Sequence, residues 1–492
     1  LSSFRHGVAS GDPQYDRVVI WTRLSGATED RRLEWTVARD PELKSVVASD
    51  SVVAAADADF TAQVDVNGLS AATHYWYAFV DPSTGERSTI GRTRTLGEDV
   101  EHLRFAAVSC AKFNAGYFNA YARIAERNDL DFLLHLGDYI YEAAQKPPAT
   151  QTPGADIGRP FDPLNECVTL TDYRTRYAQY HSDPDVQAFH AQMPMIGTVD
   201  DHEFADGAWR AGSDNHVPER DGPWEERKAA AIRARREWLP QRLVNPDDPT
   251  RFFRSVRFGH LADLFMIDTR SRRDQPVAGD QAHDPSRTQL GHEQKAWLFS
   301  DLDGSTARWR LLGNASVLSQ TWTTGIRPEL RDGLTWLKMM SKDGGPDPDQ
   351  WDGYPAERSA LLSHLEGRDA IVLSGDVHVG LAIELHERAN AGREPIAPEF
   401  VTTSITSQNL DDKMKWGYRK GSLPAEREML EQLPSIKWCD FDSHGYMLVD
   451  VTPERVQVEF WFVDEVLHSV RGEHLASSWV VRPGSPHIER LT

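Results

Sequence analysis

Cysteine is scarce, long apolar runs are absent, and positive charge is in deficit. Among 492 residues there are three cysteines, Cys110, Cys167 and Cys439. That scarcity excludes a small scaffold stapled by disulfides. The odd count leaves one thiol unpaired even if Cys167 and Cys439 bridge; the alternative is three buried thiols. No run of about 18 apolar residues occurs, so no transmembrane helix is expected. Internal repeats and low-complexity tracts are also missing. The chain opens at Leu1 with neither a methionine nor a signal peptide, as expected of a mature or trimmed product. Lysine and arginine number 54 against 75 aspartates and glutamates, a formal net charge of −21. A surface so acidic repels nucleic acid and anionic membranes at long range, and neither is expected as an electrostatic partner. A phosphate substrate would need a local reversal of that field, which bound metal ions can supply.

What is present is an ordinary globular balance, 40% hydrophobic and 26% charged. The length suggests two domains. Residues 1–97 read as all-β: Arg17-Val-Val-Ile-Trp-Thr-Arg23 is apolar, and segments at 33–38, 60–66 and 73–80 alternate. Turn residues at roughly 10-residue spacing suggest a small β-sandwich. The Leu69 to Tyr77 pattern resembles the late strands of fibronectin type III domains. A seam at 96–100 separates this region from residues 98–492, which mix strands and helices. Strands are predicted at 103–109, 130–136, 195–199, 261–267, 309–312, 369–373, 445–451 and 456–463. Helices are predicted at 118–128 and, strongly basic, at 228–243. The Pro-, Thr- and Gly-rich stretch 144–163 is expected to be a long loop near the site.

Several of these strands run into polar clusters, the usual place for ligands in layered α/β enzymes. In Gly137-Asp-Tyr-Ile-Tyr-Glu142 the glycine permits a tight turn, and the two oxygens of Asp138 can bridge two cations. Tyr141 can offer a phenolate, which suits a hard trivalent ion, or it can be a buried tyrosine on a turn. In Asp200-Asp-His-Glu203 one carboxylate can bind metal while His202 meets substrate; the alternative is a capped, solvated turn. Asp376 and His378 in Ser374-Gly-Asp-Val-His378 share one face of an extended segment, a spacing that suits either metal ligation or a surface turn. Cys110, directly after a strand, is either a ligand or an inert core thiol.

Taken together these segments resemble the PhoD-type alkaline phosphatases over nearly the whole chain. The resemblance rests on Phe4-Arg-His-Gly-Val-Ala-Ser-Gly-Asp-Pro13, Val18-Val-Ile-Trp-Thr-Arg23 and Ser109-Cys110. It continues through Asp131 to Glu142, Asp200-Asp-His-Glu203, Trp309-Arg-Leu-Leu-Gly-Asn314, Trp351-Asp-Gly-Tyr-Pro355, Ser374 to His378 and Glu399 to Ser407. It implies an α/β fold: a four-layer αββα metallophosphoesterase sandwich behind the N-terminal β-sandwich domain. It implies one Fe3+ held by Cys110, Asp138, Tyr141 and His378, with Asp138 bridging to a second, calcium-rich position served by Asp201 and Asp376. Asn314 is a weaker candidate, standing where the similar purple acid phosphatases place a metal-bound histidine. Asp201 stands where those carry asparagine. Attack of a metal-bound hydroxide on phosphate mono- and diesters, with His202 assisting the leaving group, is the implied chemistry. Secretion by the twin-arginine route is a family trait.

The chain departs from many relatives at Gln408-Asn-Leu-Asp-Asp412, where they run on with glycines. Iron-dependent phospholipases D share the fold, so phosphatidylcholine is the rival substrate, with 15 tryptophans available for a lipid- or choline-binding surface. A non-catalytic secreted module with a closed structural metal site is the rival from another class. Ligand types alone also admit zinc, for which Tyr141 is unusual.

Overall fold

The computed structural model describes residues 2–146, 157–388 and 393–492. Its centre is two sheets packed face to face. The first has ten strands, in the order Ile488–Arg490, Glu473–Val481, Arg455–Val463, Gly445–Thr452, Leu103–Val108, Phe132–His135, Met195–Gly197, Val8–Gly11, Arg17–Arg23 and Thr61–Asn67. The second has seven: Arg254–Phe258, Ala262–Met266, Trp309–Gly313, Ala370–Ser374, Ala397–Val401, Gly380–Leu385 and Ile436–Asp440. Parallel pairing joins the central strands of both sheets.

Alternation within strands builds the layers. In Leu103–Val108, Phe105 and Ala107 point between the sheets and meet Leu264, Met266, Leu311 and Ile371. Ala106 and Val108 point the other way, onto Tyr121, Tyr177, Phe189 and Ile232 of the flanking helices. Phe265 and Leu312 of the second sheet likewise turn outward, onto Leu298, Leu302 and Leu361 of two more helices. Strands buried on both faces in this way must be apolar throughout, which is why their sequences read as unbroken hydrophobic runs. The result is helix, sheet, sheet, helix, the four-layer αββα arrangement.

Residues 2–97 are β-rich. A separate five-stranded sheet contains Val46–Ala54, Arg31–Ala38 and His74–Asp81. It packs on Val18, Ile20, Ala62 and Val66. Those four residues lie on strands that extend the ten-stranded sheet, where Gly11 registers beside Met195. The two regions are therefore joined by backbone hydrogen bonds.

One expectation needs correction, one pair of alternatives is decided, and one expectation falls partly outside the described residues. The basic helix runs Trp224–Trp238, not 228–243. It stops because Leu239 is extended (ψ 136°), as a residue before proline prefers. Cys167 and Cys439 are free, buried thiols in two different core clusters, so no disulfide joins them. Of the loop expected over 144–163, residues 147–156 lie outside the described residues. No helix among the described residues is long and apolar enough to cross a membrane.

Candidate metal centre

The parallel strands of both sheets end at one edge, and the polar clusters follow them directly. Cys110 follows Leu103–Val108, Asp138 follows Phe132–His135, and Asp200 and Asp201 follow Met195–Gly197. Arg270 follows Ala262–Met266, while Asp376 and His378 follow Ala370–Ser374. Cys110, Asp138, Asp376 and His378 all take left-handed backbone conformations, with φ of 60°, 54°, 67° and 57°. For a residue with a side chain this costs on the order of 1 kcal/mol each, and such outliers cluster where geometry serves function. Gly137 (φ 107°) is required: a Cβ there would lie 2.5 Å from the Cβ of Asp200.

These turns gather donors into three overlapping sets, each with atoms within 4.8 Å of one another: Cys110, Asp138 and His378; Asp138, Asp201 and His202; Asp200, Asp201 and Asp376. Tyr141 joins the first, its Oη donating to Asp138 Oδ2 at 2.8 Å and lying 3.2 Å from His378 Nε2. His378 Nδ1 is 2.9 Å from the Gln408 carbonyl, so that nitrogen carries the proton and Nε2 presents its lone pair to the cluster. Asp138 and Asp201 each belong to two of the sets, so the three sets form one continuous cluster.

Around these donors stands a ring that sequence reasoning missed. Glu203 is buried and accepts from the backbone N–H groups of Asp138 (3.0 Å), Tyr139 (2.6 Å) and Asp200 (2.7 Å), tying two ligand turns together. Glu142 accepts from the Asp206 N–H at 2.8 Å and lies 2.7 Å from His202 Nδ1, which fixes that ring and leaves Nε2 free to act. The His202 ring packs on Tyr141 at a centroid distance of 4.0 Å. The fully buried Arg270 bonds Asp200, donates to Asp349 Oδ2 at 2.8 Å and stands 2.9 Å from Asp376 Oδ2. Asp349 also accepts from Arg273. A sequence signal existed: Asp268-Thr-Arg-Ser-Arg-Arg273 follows an apolar strand as the ligand clusters do.

Asn314 is placed differently. Its Oδ1 accepts from Trp351 Nε1 at 3.2 Å, and its Nδ2 donates to Ser374 Oγ at 3.0 Å and to the Ser316 carbonyl. These bonds tie its amide to the strand ends behind the cluster.

Comparison with known proteins follows the same pattern. The family described as PhoD-like phosphatase matches residues 105–460, and its N-terminal domain matches residues 2–97. The chain belongs to the PhoD-like phosphatase family. Alkaline phosphatase D of Bacillus subtilis (strain 168) is 33% identical over 93% of this chain and 77% of its own length. A solved structure of PhoD superposes with a TM-score of 0.87 at 30% identity, covering 100% of this chain and 92% of that one. A purple acid phosphatase from yellow lupin (Lupinus luteus) seeds shares the fold: TM-score 0.55, 11% identity, 97% of this chain and 73% of that one. The chain is thus an enzyme of the phosphoesterase class.

The electrostatics of this PhoD-like centre ask for cations. Burial, then Asp138, pushes the Cys110 thiol well up; burial, then Asp138 and Cys110, does the same to the Tyr141 phenol. Burial also raises Asp138, Asp200 and Asp376, reinforced by their mutual repulsion. Burial holds His378 neutral, pulled down to about 3. For Asp201 burial is outweighed by Arg270 and His202, which leave it below the usual range. Burial alone would lower His202, but Glu142, Asp138 and Asp201 raise it well above its ordinary value. Asp200 Oδ2 is buried with no hydrogen-bond partner among the described residues. Acids crowded into low dielectric with spare lone pairs bind metal as they release protons. The residues therefore fit the metal dependence of the family.

Proposed function

We propose that this chain is a secreted alkaline phosphatase of the PhoD type that hydrolyses phosphate mono- and diesters at a Fe3+/Ca2+ centre. One observation carries the reading: a thiol, a phenol, an imidazole lone pair and a shared carboxylate meet beside an all-carboxylate set. The first set suits a hard trivalent ion with thiolate and phenolate donors, so Cys110, Asp138, Tyr141 and His378 are assigned to iron. Asp138, Asp201 and Asp376 offer only oxygen, as calcium prefers. Asn314 is left out, since its amide is already bonded on both sides.

When bound, such a pair neutralises phosphoryl oxygens and makes water nucleophilic at neutral pH. The protein supplies the rest. Glu142 fixes the His202 ring through Nδ1, so that Nε2 can deliver a proton to the leaving oxygen as its bond to phosphorus breaks and a bond to the water oxygen forms. The walls around His202 are buried, which strengthens every charge interaction there.

Activity of the metal-loaded enzyme on p-nitrophenyl phosphate, its bis-ester and a choline phospholipid tests the reading. Hydrolysis of the first two, abolished by chelation, is expected. Cleavage of the phospholipid alone would favour phospholipase D, and no turnover at all would leave a binding module. Export through the twin-arginine route, proposed with the family, is tested by whether the precursor stays cytoplasmic in a host lacking that translocase.

A further inference from the structure

The segment Trp351-Asp-Gly-Tyr-Pro355 carries part of the family resemblance, yet none of the three donor sets draws on it. The residue just before it, Gln350, is 3% exposed and faces the metal centre. Gln350 Oε1 accepts from the Val317 N–H at 2.7 Å, which settles the end of the amide that is oxygen. Its Nε2 therefore turns the other way and donates to Asp376 Oδ2. Arg270 Nη2 stands 2.9 Å from that same oxygen, but it is too poorly aligned to bond and has no hydrogen-bond partner among the described residues. Gln350 is thus the one hydrogen-bond donor to the Asp376 carboxylate among the described residues.

The five residues that follow act as its mount. Trp351 Nε1 donates to Asn314 Oδ1 at 3.2 Å, and Tyr354 Oη donates to the Asp274 carbonyl at 2.5 Å. The Gly353 N–H donates to the Gln350 carbonyl at 3.0 Å. A Cβ on Gly353 would lie 2.1 Å from the Pro348 carbonyl oxygen, so only glycine lets this loop close on itself. Pro355 then opens the helix Pro355–Leu365. On the other side of Gln350, Asp349 is held by Arg270 and Arg273. The amide is fixed from both directions along the chain.

We propose that Gln350 is a positioning residue: it aims the Asp376 carboxylate at the second cation, and Trp351 to Pro355 hold it in place to do so. The inference rests on the metal assignment above and deepens it. Other assigned ligands have orienting partners of the same kind, the Gly207 N–H on Asp201 at 2.8 Å and the Gln408 carbonyl on His378 Nδ1 at 2.9 Å. A neutral amide suits Asp376, since it turns the carboxylate without cancelling the charge a cation needs, as a lysine would. Gln350 makes no hydrogen bond to Cys110, Asp138, Tyr141 or His378 among the described residues, so its influence is confined to the second position.

The test is calorimetric titration of calcium into protein already carrying iron, wild type against Gln350→Met, which keeps the length of the side chain and loses both hydrogen bonds. The calcium Kd should rise about 10–100-fold, as it does when a group that orients a ligand is removed. Iron content and the visible absorption band should match the wild type. A residue that merely braced the centre would lose both metals together, and that result overturns the proposal. Gln350→Asn, an amide one methylene shorter, should show the same shift in smaller measure and keeps the test decisive if the methionine variant misfolds. Unchanged calcium affinity in the variants overturns the proposal and leaves the metal assignment standing. A wild type that binds iron but no calcium overturns the assignment of the second position itself.

Discussion

Replacing Glu203 with alanine should loosen the metal centre without touching a single proposed ligand. The Glu203 carboxylate is 1% exposed and accepts three backbone N–H groups, from Asp138, Tyr139 and Asp200. Two of these belong to the turn after one strand and the third to the turn after its neighbour. Burial pushes the carboxyl up, and Arg235 together with the three donors pulls it back towards the ionised form that can accept them all. In Glu203→Ala the three donors lose their acceptor in a site closed to bulk water. A buried unsatisfied group costs about 1–3 kcal/mol, so a loss on the order of 3–5 kcal/mol is expected after partial relaxation. Groups that orient ligands typically govern metal affinity by about 10–100-fold, and a fall of that size should accompany the loss. Glu203→Gln keeps one acceptor oxygen and should lie between. Urea denaturation of the chelated protein gives the first quantity and metal titration the second. An alanine variant within about 1 kcal/mol of wild type, with unchanged metal affinity, would refute the claim that this carboxylate builds the site.

Gly137→Ala should be worse than most core substitutions, since the added Cβ meets Asp200 N at 2.7 Å on a backbone at φ 107°; loss of metal binding on titration is the readout. His202→Gln should lower kcat about 10²–10⁴-fold for esters with poor leaving groups and much less for p-nitrophenyl phosphate, with metal content retained. Arg270→Met removes the partner of Asp200 and Asp349 and should cost about 3–5 kcal/mol, read by denaturation of the chelated protein. Acid should destabilise the fold through His135 and His190, which burial lowers from 6.5 to about 3. Between those values the unfolded chain binds the protons, so the stability is complete above pH 6.5 and drains away as pH falls towards 3. By pH 5.5 each contributes a loss of about 1.4 kcal/mol. Site carboxylates raised by burial act in the opposite sense, so the metal-loaded protein should be used; equal pH slopes for wild type and His190→Gln would contradict this.

The legible part of the molecule was what local pattern controls. Runs such as Leu103 to Val108 and Ala370 to Ser374 announce strands buried on both faces, and the polar residues after them announce the site. Illegible were the contacts that only tertiary folding creates. Nothing in the sequence near Glu203 says which backbone amides it will bind, and nothing near Arg270 says that three aspartates from other loops will surround it. Val46–Ala54 escaped notice because Ala48 to Ser51 interrupts its apolar residues, and an exposed edge strand needs no alternation. The union of Val8–Gly11, Arg17–Arg23 and Thr61–Asn67 with the ten-stranded sheet was equally hidden, since a strand's sequence does not name its neighbour. Asn314 ends a strand at the same edge, and its bonds to Trp351 and Ser374 were equally hidden, since neither partner is near it in sequence.

The central claim is that Cys110 and Tyr141 bind iron together. Elemental analysis and the visible absorption spectrum of the purified protein, alongside Cys110→Ala and Tyr141→Phe, test it most directly. Stoichiometric iron and a charge-transfer band that shifts with phosphate are expected in the wild type. The band should be lost or displaced in Tyr141→Phe, and iron should be depleted in Cys110→Ala. Full iron content and an unaltered spectrum in both variants would contradict it.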